Sequence, residues 1–398
     1  MTDHDPLNQW ISIVTTQMPH LSQPQATVLA LWSFGMVLAK SCALTAVVLI
    51  LAPLTKVKEN TLRQRLREWC YNAKDKRGKK RTEISVESCF PFLLRWILND
   101  WQGKQLALAL DATTLSSRFV VLTVSVLYRG CAIPVAWTIL NAQQKQAWRR
   151  EWLRMIRLLR PSIEKKMMVI VLTDRGLYAP WLFRRIRRLG WHPLMRINAT
   201  GTFRPQVRQS FRPLKEFANQ PDSRWCGQGI AFKTKGCQLR CTLLACWEPQ
   251  MNEAWFLLTD LPPETSDACW YGMRQWIEHG FRTIKRGGWQ WHRTRMTDPN
   301  RAQRLWLAVS VATLWLLSVG GTCDETVPLS TLLDVSDILS GSRRPRKRTQ
   351  LRLVSIFRRG WVTIMVALLR HDPLPGGVFI PEPWPEVPKR PHDKSTAD

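Results

Sequence analysis

Two aspartates each follow a run of residues typical of a buried β-strand. Asp111 closes the apolar run 106–110, and Asp174 closes the run 167–173. If the two strands are neighbours in one sheet, these carboxylates converge at its edge, where two like charges repel unless a cation lies between them. The pattern therefore indicates a site for a hard divalent cation. Taken alone, each aspartate would serve equally well in a turn, a position that Asp favours.

A third carboxylate lies in a helical pattern that begins near Asp267. Tyr271, Arg274, Glu278 and Lys285 follow at offsets of 0, 3, 7 and 14, so an α-helix places all four on one narrow stripe. We expect that so polar a stripe is not a core face. The alternative is an exposed salt-bridged surface, with Arg274 and Glu278 at i and i+4, which stabilises a helix by only a few tenths of a kcal/mol.

The charge of the chain indicates a polyanionic partner. Among 398 residues, 58 Lys and Arg stand against 30 Asp and Glu, a formal net charge of +28. Nucleic acid is the commonest such partner, and an anionic membrane surface is the competing interpretation. Because 45% of the residues are hydrophobic, the charge decorates a folded core, and a disordered chain is not expected.

Ten cysteines in a chain without a secretory signal indicate free thiols in a reducing cytoplasm. Cys237, Cys241 and Cys246 come closest to a metal cluster. They lack a paired CxxC and a nearby His, so we expect them to pack in a strand rather than bind zinc.

Helices are predicted for most of residues 6–100. The apolar tract Ala26 to Leu54 is interrupted by Lys40 and Ser41, and each piece is shorter than the roughly 18 apolar residues of a membrane span, so two buried helices are expected. The basic run 74–81 is expected to form a solvated loop that contacts phosphates, although solubility alone would also explain it.

The period changes from helical to extended at residue 105. The runs 106–111, 118–128 and 131–140 predict an antiparallel meander, and strands that then alternate with helices predict a parallel extension of the sheet. Residues 199–250 have the pattern of an all-β insertion. Beyond the apolar helical run 301–319 come a basic cluster at 342–348, a helix near 353–369 and a Pro-rich end from Pro373 that is predicted to be disordered.

The order Asp111, Asp174, Glu278, together with the spacing Tyr-x2-Arg-x3-Glu-x6-Lys, resembles the DDE transposases of bacterial insertion sequences. The similar group forms DNA hairpins during excision and carries the Tyr-Arg-Glu-Lys signature (insertion sequence family four). The resemblance spans about Leu106 to Gly320 and includes the LTDRG box around Asp174 and the stretch RTRMTDPNRAQRLW after the signature. It implies an α/β fold: a ribonuclease H-like catalytic core with a β-rich insertion, an N-terminal helical domain and a C-terminal helical region.

The strand pattern and the resemblance together predict five segments. These are a helical DNA-binding domain at 1–100, a first part of the core at 101–198, a β-rich insertion at 199–262, a second part of the core with the signature helix at 263–320, and a basic C-terminal region with a disordered Pro-rich tail at 321–398.

The resemblance also implies the reaction and the role of each residue. Asp111, Asp174 and Glu278 would hold two divalent cations, magnesium with manganese as a substitute, for phosphodiester hydrolysis and transesterification at terminal inverted repeats. Arg274 and Lys285 would clamp phosphates near the cut, and Tyr271 would contact the backbone beside them.

Trp255, at the start of the segment WFLLTD, matches a tryptophan that in similar transposases receives a flipped base. Its alternative role is that of a core aromatic on a strand. Trp289 and Trp291 are left open between DNA contact and core packing. His279 neighbours Glu278 but points to another side of the helix, so it is a weaker candidate for a metal ligand.

The expected partners are double-stranded DNA, both terminal inverted repeats and target, and a second copy of the chain in the DNA complex. The expected location is the bacterial cytoplasm, at the nucleoid and not at a membrane. Two alternatives are a ribonuclease H-like structure-specific nuclease, against which Tyr271, Arg274 and Lys285 argue, and a catalytically inactive DNA-binding protein derived from an element. A membrane-surface protein is a weaker alternative.

Overall fold

The computed structural model describes residues 5–77, 81–144, 148–205, 209–249, 251–323 and 354–385. Apart from those gaps, they form two compact units, the first made of 5–167, 276–323 and 354–381 and the second of 168–275 and 382–385. The basic cluster 342–348 and residues 78–80 of the basic run lie outside the described residues.

In the part of the chain that the structure describes, five α-helices open the first unit, as the sequence predicts for residues 6–100. They are α1 (Pro6–Gln17), α2 (Gln23–Ala39), α3 (Leu44–Thr55), α4 (Glu59–Trp69) and α5 (Val86–Asn99). The apolar tract forms two separate helices, α2 and α3, which are bent by 102° at the break. Lys40 ends α2 in the left-handed conformation, with a φ of 47°.

A long apolar helix, α9 (Pro299–Thr322), is the core element of this unit, and Asp298 caps its N-terminus. It packs against α10 (Ile356–Arg370) so closely that a Cβ added at Gly360 would lie 1.9 Å from the carbonyl oxygen of Leu316. In the described part of the chain, one single helix, α9, is long and apolar enough to cross a membrane. The bent pair α2–α3 passes the same test only if it is counted as one span. Because 94% of its apolar window is buried inside the protein, α9 has the environment of a core helix.

The sheet of the first unit is the predicted antiparallel meander of β1 (Gln105–Leu115), β2 (Phe119–Tyr128) and β3 (Cys131–Asn141). Strand β1 continues four residues beyond Asp111, which pairs with Thr123 rather than ending the strand. The β-branched Thr113 and Thr114 suit this extension. Helix α6 (Arg149–Leu159) follows and buries Trp152, Met155, Ile156 and Leu159.

Within its described residues, the second unit contains seven strands. They are β4 (Met168–Thr173), β5 (His192–Arg196), β6 (Thr202–Arg204), β7 (Arg212–Pro213), β8 (Ser223–Ala231), β9 (Leu239–Trp247) and β10 (Trp255–Thr259), arranged in the order β4-β5-β10-β9-β8-β6-β7. Helix α7 (Pro180–Arg188) connects the parallel pair β4 and β5, as the alternating pattern predicts, and the remaining pairs are antiparallel. This mixed α/β order agrees with a ribonuclease H-like core that carries a β-rich insertion.

The Pro-rich end differs from its prediction, because part of it is packed. The backbone nitrogen of Val378 donates to Oγ1 of Thr322 (2.9 Å), and that of Ile380 donates to the hydroxyl of Tyr128 (3.1 Å). The buried guanidinium of Arg129 donates in turn to the carbonyl of Ile380 (2.8 Å). These partners are distant in sequence, so composition alone indicates disorder where tertiary contacts fix the chain.

Candidate active site

Asp111 lies on β1 of the first unit, half-buried, beside the amine of Lys285. Its Oδ1 accepts a hydrogen bond from the backbone nitrogen of Ala112 (2.8 Å). Nζ of Lys285 donates to Oγ1 of Thr113 (2.5 Å), and Thr113 lies on the same face of the strand as Asp111. Burial and the charge of Arg286 lower the pKa of Lys285, whereas Asp111 opposes that shift. The structure thus brings one predicted carboxylate and one predicted phosphate ligand together.

The signature segment, residues 268–287, is not one continuous α-helix. A 3-10 segment, Ala268–Arg274, begins after Asp267, whose side chain accepts from the backbone nitrogen of Cys269 (2.8 Å). Helix α8 (Gln275–Arg282) follows, and a π-helical turn, Thr283–Gly287, ends the segment. The chain passes from the second unit to the first at residues 275 and 276. Short π-helical turns occur frequently at functional sites, and this one carries Lys285.

Tyr271 departs from the prediction of an exposed polar stripe. It is 4% exposed, and its ring packs edge-on against Trp255 with 5.2 Å between centroids. In a 3-10 segment residues i and i+3 eclipse, so Tyr271 and Arg274 still share a face. Glu278, on α8, is exposed. The stripe therefore holds a buried aromatic at one end and an accessible carboxylate further along.

Asp174 directly follows β4, as predicted, and contacts Arg274 within the second unit. Its Oδ1 accepts from the backbone nitrogen of Gly176 (2.9 Å), which is the turn-capping role considered above. Its Oδ2 lies 3.4 Å from Nη2 of Arg274, whose side chain is 15% exposed. Asp174 therefore both caps the turn and pairs with a charged side chain. Two residues singled out from separate motifs meet at this point.

Trp255 begins β10, and its half-buried ring packs against the apolar cluster of Cys246 and Cys269 and lies near a cation that the sequence pattern does not indicate. The guanidinium of Arg196 lies 5.7 Å from the ring centroid. Glu253 accepts from both Arg196 and Arg175, each at 2.8 Å. The sequence offers a signal for Arg175, because this residue is adjacent to Asp174 in the LTDRG box. No local pattern marks Arg196 on β5 as part of the site. The arrangement can stack a planar base and bind phosphate.

The remaining candidates, two tryptophans and a histidine, lie in the first unit. Trp289 and Trp291 are fully buried, and Nε1 of Trp289 donates to Oγ1 of Thr313 (2.8 Å), so both tryptophans belong to the core. Nδ1 of His279 lies 3.3 Å from the carbonyl oxygen of Gly130. The sequence alone does not decide between DNA contact and core packing for the two tryptophans, because the local pattern around an aromatic residue in a strand or loop does not indicate whether it is buried.

The predicted carboxylates fit a hard divalent cation in donor type. Asp111 and Asp174 are half-buried and Glu278 is exposed, so their oxygens combine accessibility with partial shielding from water. Across the described residues, no three His, Cys, Asp or Glu side chains are grouped in a way that could hold a metal ion. Cys241 and Cys246 are buried on β9, in agreement with packing, whereas the prediction is wrong for Cys237, which is exposed at the end of the short 3-10 segment Lys235–Cys237 before that strand. A basic side chain lies near each of the two aspartates, where it offsets negative charge.

Comparisons with known proteins complete the description of the site. Residues 103–315, more than half of the chain, match the model of a protein family described as the transposase DDE domain, and the matched range contains all three predicted carboxylates. Among solved structures, the chain is similar to a cryo-EM structure of the piggyBac transposase synaptic complex with hairpin DNA. That likeness has a TM-score of 0.35 at 8% identity and covers 93% of this chain and 84% of the other. No curated protein sequence matches the chain.

Proposed function

Because the chain belongs to the transposase DDE domain family, we propose that it moves its own DNA element by cut-and-paste transposition. The chain is a DDE transposase. In the proposed reaction it nicks DNA at terminal inverted repeats, forms hairpins through the freed 3′-hydroxyl, resolves them and joins the ends to target DNA. The observation that carries the proposal is the contact between Asp174 and Arg274, since it joins two motifs with 99 residues between them.

The assignment to the hairpin-forming group of bacterial insertion sequences rests on the signature. Tyr271, Arg274, Glu278 and Lys285 match the group's spacing without a gap. The packing of Trp255 against Tyr271 supports a base-receiving role, because it places an aromatic platform next to the signature segment. Arg196 beside that ring adds a cation suited to phosphate.

Catalysis in this family depends on divalent metal, and we assign two magnesium ions, replaceable by manganese, to Asp111, Asp174 and Glu278. When bound, these ions would supply the chemistry of activating the attacking water or hydroxyl and of stabilising the leaving oxygen. The chain's own contribution is to position phosphates. Arg274 presents a planar fork that suits two phosphate oxygens, and Lys285 presents a point charge.

The proposed partners are duplex DNA, at the element ends and the target, and a second copy of the chain within the DNA complex. A net charge of +28 supports a polyanion as partner. We place the protein at the bacterial nucleoid rather than at a membrane, and the burial of α9 is consistent with this.

The experiment is cleavage of a supercoiled plasmid carrying the element's own ends, with magnesium or manganese, by the wild type and by Glu278→Ala. Hairpins and excised products from the wild type alone, with end binding retained in the variant, are the expected result. Nicking without hairpins or joining would instead identify a ribonuclease H-like structure-specific nuclease. Binding without metal-dependent cleavage in either protein would identify an inactive DNA-binding protein.

A further inference from the structure

The loop between β8 and β9, residues 232–238, is fixed against α7 in the second unit. Nη2 of Arg184 on α7 donates to the carbonyl oxygens of Gly236 (3.3 Å) and Gln238 (3.0 Å). The first residue of the loop, a phenylalanine, stacks on the ring of Tyr178 with 6.1 Å between centroids and an interplanar angle of 10°. These contacts hold the loop in a defined place next to the exposed face of the helix.

This loop and helix present a set of cations that we call the basic surface, made of Arg184, Arg188, Lys233 and Lys235. All four are exposed, and Arg188 lies one helical turn after Arg184. Within the described part of the chain, Arg188, Lys233 and Lys235 form no ion pair. Their charge is therefore not neutralised by a neighbouring carboxylate.

An acidic residue that contacts α7 through Arg187, Asp260, is already engaged. Asp260 is 14% exposed at its side chain, and its two oxygens lie 3.2 Å from Nε of Arg187 and 3.1 Å from Nδ1 of His192. An uncompensated cluster of cations on an ordered scaffold suits a polyanion, because little conformational entropy is lost on the protein side when such a ligand binds.

We propose that the basic surface binds the phosphate backbone of duplex DNA, in addition to the groups around Asp174. The identification of the polyanion as DNA rests on the proposed function. An anionic membrane fits less well, since interfacial binding needs apolar side chains that enter the lipid. The exposed large hydrophobic residues of the described chain, such as Leu49, Leu54 and Leu369, all lie in the first unit.

The experiment compares R188S/K233S/K235S with the wild type, both as full chains, in binding to a fluorescein-labelled random-sequence duplex over a range of NaCl concentrations. The magnitude of the slope of log K against log[NaCl] is expected to fall by roughly 2 to 3, or about 0.9 for each phosphate that is no longer neutralised. The matched control, R149S/R150S/R157S, removes the same charge from exposed positions on α6 and is expected to keep the wild-type slope. Thermal unfolding checks that both variants are folded.

An unchanged slope in R188S/K233S/K235S, or an equal fall in the control, would overturn the proposal. The proposal would also be overturned if R188S/K233S/K235S lost binding to phosphatidylserine vesicles while its slope of log K against log[NaCl] for duplex DNA stayed unchanged. The two proposals fail separately: a wild type that cleaves plasmid while the variant's slope is unchanged refutes only the basic surface. A wild type that never cleaves, combined with the expected fall in slope, refutes only the transposition reaction.

Discussion

Nη2 of Arg274 lies 3.4 Å from Oδ2 of Asp174, so the signature segment and the aspartate that follows β4 meet inside one compact unit. The guanidinium is mostly buried, and the carboxylate is 38% exposed. A pair with one accessible partner adds little to stability. The position of Arg274 is therefore better explained by a role in binding phosphate, for which the pair holds the planar guanidinium next to a carboxylate.

We expect Arg274→Ala to lower the single-turnover rate of DNA cleavage by roughly 10²- to 10³-fold, as for removal of a donor that stabilises developing charge. Arg274→Lys should recover part of that rate, because it keeps the charge but not the planar fork. The free energy of unfolding should change by less than about 1 kcal/mol in either variant. Cleavage kinetics and thermal unfolding measure the two effects.

Arg224→Ala provides a contrasting control in the same unit. Arg224 pairs with Glu248, which is fully buried, so the substitution removes a charged partner from a buried carboxylate and should destabilise the fold by roughly 3 to 5 kcal/mol. If Arg274→Ala instead destabilised the protein as much as Arg224→Ala does, the role of Arg274 would be structural.

The cleavage rate is expected to fall at alkaline pH as Lys285 loses its proton. Burial and Arg286 lower the pKa of this amine, so its charge is lost at a lower pH than that of an ordinary lysine, whose pKa is about 10.4. Lys285→Arg should move the decline to higher pH, since guanidinium stays charged. Lys104→Arg, at an exposed site, should leave the pH profile unchanged.

The same shift in the pKa of Lys285 has a defined sign for stability. Between the lowered pKa and the ordinary one, the unfolded chain binds more protons at this residue than the folded chain does. The contribution of Lys285 to the free energy of unfolding therefore increases with pH over that window.

Identical pH profiles of the cleavage rate for the wild type and Lys285→Arg would contradict the role of this amine in cleavage.

Trp255→Ala should weaken hairpin binding by roughly 1 to 3 kcal/mol, the contribution of one stacked base. Trp255→Phe should keep part of it, because a smaller aromatic ring remains. A 2-aminopurine at the flipped position reports the stacking by its fluorescence. Trp247→Ala, on neighbouring β9 with its indole nitrogen bonded to the carbonyl of Met251, should leave that signal unaltered. Equal losses in both variants would contradict a base-receiving pocket.

Much of the fold follows from local sequence pattern. The apolar run before Asp174, the meander around Asp111 and the break at Lys40 are all set by residues within one element, where hydrophobic period and turn residues decide the outcome. These features match the structure, apart from the extension of β1 beyond Asp111.

The site itself was less accessible to sequence reasoning. The offsets of Tyr271, Arg274, Glu278 and Lys285 assume 3.6 residues per turn throughout, whereas the segment changes from 3-10 to α to π helix. Burial of Tyr271 depends on Trp255, sixteen positions earlier in the chain on another element. No local pattern encodes such a contact, because tertiary packing decides it.

The thiols should divide sharply by reactivity towards a disulfide reagent such as DTNB. Burial raises the pKa to about 12 for five of the ten, namely Cys42, Cys70, Cys89, Cys241 and Cys246. At about pH 8 these are protonated and inaccessible, so they should react only on unfolding.

Cys226 separates exposure from reactivity. It is exposed, yet partial desolvation and the charges of Glu264 and Asp267 raise its pKa to about 11, so it should react slowly. The exposed Cys237 and Cys323 should account for the fast phase, and C237S/C323S should abolish it. A fast phase that persists in this variant and maps to Cys226 by mass spectrometry would contradict the raised pKa.

Trp384 is expected to position the signature segment from the C-terminal end of the described chain. Its ring packs edge-on against Trp270, with 4.9 Å between centroids, and Trp270 immediately precedes Tyr271. Trp384→Ala removes this support. The rate of DNA cleavage should fall while the affinity for duplex DNA is retained, and Trp384→Phe should restore most of the rate because an aromatic ring still packs against Trp270.

Limited proteolysis gives a readout independent of activity, because a released C-terminal segment becomes accessible to protease. Cleavage beyond residue 381 should accelerate in Trp384→Ala. Trp361→Ala serves as the control: its indole nitrogen donates to the carbonyl of Val37, and it has no ring contact with Trp384 or Trp270 among the contacts of the described residues, so proteolysis beyond residue 381 should match the wild type. If Trp384→Ala lost DNA affinity and cleavage rate in equal proportion, a general loss of structure would explain the result, and the positioning role would be wrong.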